Sequence, residues 1–321
     1  MIMEENSKLI IFGPVPSRRL GRSLGINNIP PKNCSYSCVY CQVGKTSNVQ
    51  AHRQTFYEPE VIFNNTDQKL RSLKEQNEPV DYLTFVSDGE PTLDVNLGRH
   101  IELLKLLGTR VAVITNASLI WQKEVQDDLC KADLVSLKID AANEDIWHKI
   151  NNPQTTLNLG KILQGVLAFS NQYKGELLTE TMLVQDINDK AEDIENTANF
   201  IAGIKAKKSF ISVPIRPPVE KWVKSPNEEV INTAYQIFKE KNINVETIIG
   251  YEGDSFFFSG NIEKNLLSIA SVHPLREESV REFLKRTKTD ENIIRKLLAE
   301  DKLKEVRYKD KNFYVRKLAI L

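Results

Sequence analysis

Cys34-Ser-Tyr-Ser-Cys38-Val-Tyr-Cys41 is the stretch from which this chain is best read. Its C-x3-C-x2-C spacing sets three thiolates on one tight loop, with an aromatic residue, Tyr40, just before the last of them. Three thiolates can hold three irons of a cubane iron–sulfur cluster, for which four cysteines are the usual complement. With three, one iron keeps a free position and can bind a small molecule. A structural zinc loop or chance clustering is the plainer alternative. Tetrahedral zinc wants four N or S ligands, and the nearest further candidate, His52, has no partner at ligand spacing.

A chain of 321 residues has room for one large domain and a small one. Its 41% hydrophobic and 27% charged content is ordinary for a soluble globular protein. No apolar run approaches the length of a membrane-spanning helix. The first residues, Met1-Ile-Met-Glu-Glu-Asn-Ser-Lys8, lack a basic segment followed by an apolar one. A cytoplasmic protein with no membrane partner is therefore expected. Four cysteines, three of them in one loop, are not a disulfide framework and suit a reducing compartment. The fourth, Cys130, ends an apparent helix and reads as a small buried apolar residue. A second cysteine-ligated cluster would need more cysteines than remain, so one cluster is expected.

Strand-like runs at 24–27, 82–87, 110–116, 134–139, 177–183 and 210–215 are rich in β-branched and apolar residues. Between them lie segments with apolar residues at helical spacing, such as Leu97, Ile101 and Leu104, or Ile194, Ala198 and Ile201. Repeated βα units imply an α/β fold with a parallel sheet and helices outside. The role of the apolar run at 245–249 is left open. His273-Pro-Leu reads as a linker, giving units 1–272 and 273–321. In the second unit, helices at 277–287 and 291–300 and strands at 303–308 and 312–317 resemble a small winged-helix-like module. Residues 276–321 carry 14 Lys/Arg against 9 Asp/Glu.

Five further segments carry candidate chemistry. Ser87-Asp88-Gly89-Glu90-Pro91 follows a strand: a carboxylate accepts charge-assisted hydrogen bonds from an ammonium, Gly89 permits close backbone approach, and Pro91 stiffens the turn. Asn116 ends a strand, where it can reach a ligand or cap the next helix. In Val135-Ser-Leu-Lys-Ile-Asp140, alternation puts Ser136, Lys138 and Asp140 on one face. A lysine inside an apolar strand is costly unless paired; Lys138 reads as a ligand contact, as a structural partner of Asp140, or as a Schiff-base amine. Arg216 and Pro214 sit at the end of the sixth strand run, Arg216 facing an anion or a surface acid. Arg18 and Arg19 precede the first run and suit a carboxylate or phosphate, or form a solvated basic patch.

The cysteine spacing, the Gly-Glu-Pro turn behind a strand and the six βα units together resemble the radical S-adenosylmethionine (radical SAM) superfamily. The resemblance implies a partial (β/α)6 TIM-like barrel, open on one side, with its site at the C-terminal strand ends. It implies one 4Fe-4S cluster on Cys34, Cys38 and Cys41, with S-adenosylmethionine (SAM) chelated by the open iron and cleaved to a 5′-deoxyadenosyl radical. It further implies SAM contacts from Tyr40, Ser87, Asp88, Gly89, Glu90, Pro91, Asn116, Ser136, Lys138 and Pro214. Arg18, Arg19 and Arg216 are left to the substrate, and no catalytic side chain is assigned. The arginine-rich run and the Cys-Val-Tyr-Cys-Gln-Val-Gly and Asp-Gly-Glu-Pro-Thr-Leu blocks look like the group of oxidoreductases related to the wyosine-base synthase of tRNA. Expected partners are a reductant such as flavodoxin or ferredoxin, and an RNA base or a protein or peptide side chain as substrate. The rival reading is an iron–sulfur redox-sensing regulator with a winged nucleic-acid-binding unit and no turnover.

Overall fold

The computed structural model describes residues 10–249, 262–272 and 274–316. The leader residues 1–9, the linker His273 and Lys317 at the end of the expected wing lie outside them. One eight-stranded sheet runs in simple sequence order: β1 Ile11–Ser17, β2 Gly21–Ile26, β3 Tyr82–Phe85, β4 Arg110–Thr115, β5 Leu134–Lys138, β6 Glu176–Met182, β7 Lys208–Ser212 and β8 Val245–Ile248. All neighbours are parallel except β1, which pairs antiparallel with β2. The six expected strands are therefore present, and the run left open is a seventh parallel strand. The eighth, β1, escapes a propensity reading because Gly13, Pro14 and Pro16 interrupt it.

Helices fill every parallel crossover: α1 Pro59–Glu75, α2 Leu97–Lys105, α3 Lys123–Leu129, α4 Glu144–Asn151, α5 Leu159–Gln172, α6 Ala191–Ala202 and α7 Glu228–Glu240. Asn143, Asn158 and Asn227 cap α4, α5 and α7 by accepting a backbone N–H, as short polar side chains do at helix starts. The period-2 alternation of the strands sorts their side chains into two environments. Val111, Val113, Val135, Leu137 and Ile211 face the helices in the main core. Leu20, Tyr82, Ala112, Leu134, Leu178, Phe210 and Ile248 form a separate apolar cluster with one contribution from each of six strands. The Arg19–Glu180 contact joins the β1–β2 turn to β6 across three intervening strands, so the sheet curls into a half-barrel and this cluster is its floor. Two residues further along the strands the interior turns polar, with Thr84, Ser136, Glu180 and Ser212.

Beyond the sheet, α8 Ile262–Val272, α9 Glu277–Arg286 and α10 Asn292–Ala299 accompany three short strands, β9 Leu275–Arg276, β10 Leu303–Tyr308 and β11 Lys311–Arg316. These form an antiparallel sheet in the order β9-β11-β10. A second apolar core gathers Leu266, Ile269, Phe283, Leu297 and Tyr314, with Val15 of β1 packed against it. Helix α8, which precedes His273, thus packs with this C-terminal group. Among the described residues no helix is long and apolar enough to cross a membrane.

Candidate active site

The cysteine loop leaves β2 and is tied down on three sides by backbone hydrogen bonds. Asn33–Cys34 pairs with Asn48–Val49, closing the loop on itself. Ser37 N–H donates to the Asn151 carbonyl at 3.0 Å and Val39 N–H to Ile150 at 3.0 Å, fixing the loop to the end of α4. Glu90 N–H donates to the Asn33 carbonyl at 3.0 Å, bringing the Gly-Glu-Pro turn against it. That approach requires glycine at position 89, where a Cβ would collide with the Asn33 carbonyl oxygen.

Side chains complete the anchorage. Asn151 Nδ2 donates to Cys38 Sγ at 3.4 Å and to Asp140 Oδ2 at 2.8 Å. Asn116 Nδ2 donates to Cys34 Sγ at 3.6 Å and to Ser35 Oγ at 2.9 Å. Asp140 also accepts from the Tyr40 hydroxyl and, at 2.9 Å, from Met182 N–H. The sequence reading that pairs Lys138 with Asp140 is corrected: Lys138 Nζ lies 3.1 Å from Glu180 Oε1 and 4.9 Å from the centre of the Tyr40 ring. Arg19 Nη1 and the Ser212 hydroxyl meet the same Glu180 carboxylate. Cys130 is corrected too. It is exposed, because α3 buries Val125, Gln126 and Leu129 and ends there.

These groups surround a cavity of about 340 Å³ at the C-terminal strand ends, where the barrel architecture places chemistry. Cys34, Cys38 and Cys41 line it, as do Tyr40, Ser87, Asp88, Gly89 and Glu90. Asn116, Lys138, Pro214, Arg19 and Arg216 complete the expected residues on its wall. Three expected residues are elsewhere. Arg18 is exposed on the β1–β2 turn. Pro91 is buried behind the wall, its carbonyl accepting from Asn28. Ser136 is buried one layer towards the floor, its hydroxyl without a partner. Lys32, Asn151 and Glu180 belong to the site and carry no local sequence signal.

The electrostatics follow from burial. Desolvation lifts the Cys34 thiol well above its ordinary value, with the Cys38 and Glu90 charges adding to it. Cys38 is pushed up to about 12, by burial first and the Asp140 charge second. Burial raises Cys41 as well, against the opposing pull of Lys32 and Lys138. Burial lowers Lys138. Glu90 is wholly buried, and four protein donors converge on its carboxylate: Thr92 N–H at 3.0 Å, the Thr92 and Thr115 hydroxyls at 2.6 Å each, and Asn116 N–H at 2.8 Å. Asp88 pairs with Lys32 through Oδ1 at 3.0 Å, while its buried Oδ2 has no partner.

Three free thiols on one cavity wall suit a cation that would hold them as thiolates. Among the described residues, no three Cys, His, Asp or Glu groups form a site for a single metal ion. Thiolates that ligate separate irons surround a cluster instead of converging on a point, and the amide N–H groups aimed at Cys34 and Cys38 are hydrogen bonds of the kind that tune such clusters.

The family model of the radical SAM superfamily matches residues 28–201. The chain belongs to the radical SAM superfamily. Its relatives include a UPF0026 protein of Methanocaldococcus jannaschii, 48% identical over 312 residues that make up 96% of each chain. A UPF0026 protein of Helicobacter pylori is 32% identical over 232 residues, 71% of this chain and 74% of that one. Among solved structures, a radical SAM methyltransferase from Sphaerobacter thermophilus superposes with a TM-score of 0.52 at 14% identity, covering 71% of this chain and 66% of that one. That likeness concerns the fold.

Proposed function

We propose that this radical SAM protein is an iron–sulfur enzyme that cleaves SAM reductively and abstracts a hydrogen atom from a substrate. The observation that carries the reading is the meeting of the Cys34, Cys38 and Cys41 thiols with the Gly89–Glu90 turn on one cavity wall. Bound on these cysteines and in this cavity, one 4Fe-4S cluster and SAM supply the electron transfer and the 5′-deoxyadenosyl radical. The chain supplies the rest. Its three thiols release protons to become ligands, and Asn116 and Asn151 direct N–H groups at two of the sulfurs. The unpartnered Oδ2 of Asp88 is an acceptor for the SAM ammonium, and Lys32 holds that carboxylate in place. Arg216, buried on the wall, is a donor fork for a carboxylate or phosphate. Glu180 holds Lys138 and Arg19 on the cavity wall. A one-electron donor protein such as flavodoxin or ferredoxin completes the cycle.

The redox-sensor reading gains nothing from this arrangement, since a sensor without turnover needs no enclosed cavity beside its cluster. The test is anaerobic reconstitution. The protein should take up about four irons, and Cys38→Ala should lose most of them. Dithionite and SAM should then yield 5′-deoxyadenosine. Iron uptake insensitive to Cys38→Ala would sink the cluster assignment, and intact SAM would sink the enzymatic reading.

A further inference from the structure

We propose that the segment 214–225 and the turn of the β10–β11 hairpin form a rim that grips single-stranded RNA and feeds one unpaired base to the cavity. The inference rests on the reading of that cavity as the reaction chamber. Pro214, Ile215 and Arg216 line the cavity. The next residues cross the cysteine loop as a strap: Val219 N–H donates to the Cys41 carbonyl at 2.9 Å and Glu220 N–H to Val39 at 3.3 Å. Val223 is buried in an apolar cluster against which Val39 and Tyr40 pack. Its neighbour Trp222 faces the other way and is 55% exposed, although it is among the largest apolar side chains in the chain. Lys221 and Lys224 flank it, both exposed and without an ion-pair partner among the described residues.

The hairpin turn closes on the same strap. The Tyr308 hydroxyl donates to the Pro214 carbonyl at 3.0 Å, and Lys309 Nζ reaches Ser225 Oγ at 2.5 Å. Exposed Lys45 sits between Gly44 and Thr46, both on the cavity wall. Glu220, half-buried, is the one acid of the strap. An exposed indole amid unpaired lysines is the pattern that binds single strands, bases stacking on the ring while phosphates meet the cations. The rim meets the cavity at Pro214, Ile215 and Arg216, so a strand held on it presents an unpaired base there. RNA offers such bases in loops and bulges, whereas duplex DNA must first flip one out.

The experiment is anisotropy of a short fluorescein-labelled single-stranded oligoribonucleotide titrated with the reconstituted full chain. Trp222→Ala should weaken binding about tenfold, and Trp222→Phe should restore most of it. Replacing Lys221 and Lys224 together by alanine should flatten the slope of log affinity against log salt by about 1.4. No binding by the wild type at low salt, equal affinity of Trp222→Ala, or tighter binding of an acidic peptide would overturn the proposal. Equal affinity for DNA of the same sequence would overturn the choice of RNA. Iron content and 5′-deoxyadenosine release are read on the same wild-type preparation. RNA binding without SAM cleavage counts against the enzymatic reading and leaves the rim standing; cleavage without RNA binding does the reverse.

Discussion

Asn151 lies more than a hundred residues beyond the cysteine loop, yet its amide reaches Cys38 Sγ, the Tyr40 hydroxyl and Asp140. An N–H directed at a ligating sulfur favours the more negative, reduced form of a cluster and so raises its potential. Asn151→Ala should therefore lower the midpoint potential of the reconstituted cluster. A differential of about 1 kcal/mol corresponds to about 40 mV for one electron. Redox titration followed by electron paramagnetic resonance measures it, with iron content as the control for an intact cluster. An unchanged potential would make Asn151 a purely structural clamp. Glu90 has a second duty beside any contact with SAM, because its carboxylate ties Thr92, Thr115 and Asn116 at adjoining strand ends. Glu90→Ala leaves buried donors without acceptors, each worth about 1–3 kcal/mol when unsatisfied. Denaturant unfolding of the apoprotein should show a loss of at least that order. An unchanged midpoint would mean that the turn is held without the carboxylate.

At the level of elements, the strands were legible wherever apolar residues alternate or run together, and the cysteine motif was legible because its three thiols fall within one loop. Of the alternating Ser136, Lys138 and Asp140, only Lys138 lies on the cavity wall, and Asp140 falls beyond the end of the strand. What the sequence hides is closure. Glu180 meets Lys138 as its register partner on the neighbouring strand, but it meets Arg19 of the β1–β2 turn only across the curled interior, and no local pattern encodes that. Strand β1 was invisible for the opposite reason: its prolines and glycine argue against a strand, and an edge tolerates them. Helix packing adds a constraint of its own at Gly165 in α5. A Cβ there would come within 2.6 Å of Trp121 Cα and 2.7 Å of Trp121 N, so the helix lies directly on the backbone after β4. Gly165→Leu should cost about 1–3 kcal/mol or more by overpacking, read as a lower thermal midpoint. Stability equal to the wild type would show that α5 can lift off without loss.

For the whole molecule, the decisive fact is that the C-terminal apolar core packs against the edge strand of the large sheet. Leu266, Ile269 and Ala270 of α8 are buried with Phe283, Leu284 and Leu297, and Val15 of the edge strand β1 packs against the same cluster. The C-terminal group therefore covers a sheet edge, where unpaired backbone groups invite association. It also tethers the strap through Tyr308 and Lys309. A chain ending at Val272 keeps Cys34, Cys38 and Cys41 and the main core, which holds residues from Ile10 to Val245. It also keeps α8 with its apolar face bare. Such a chain should still take up about four irons but should self-associate, eluting earlier than the full chain in size-exclusion chromatography. A chain ending at Ile249, which removes α8 as well, should associate less. If the Val272 truncation stays monomeric with an unchanged thermal midpoint, the C-terminal group contributes nothing to the edge it covers. If it cannot hold iron, the half-barrel depends on that group to fold, and the two cores are one cooperative unit.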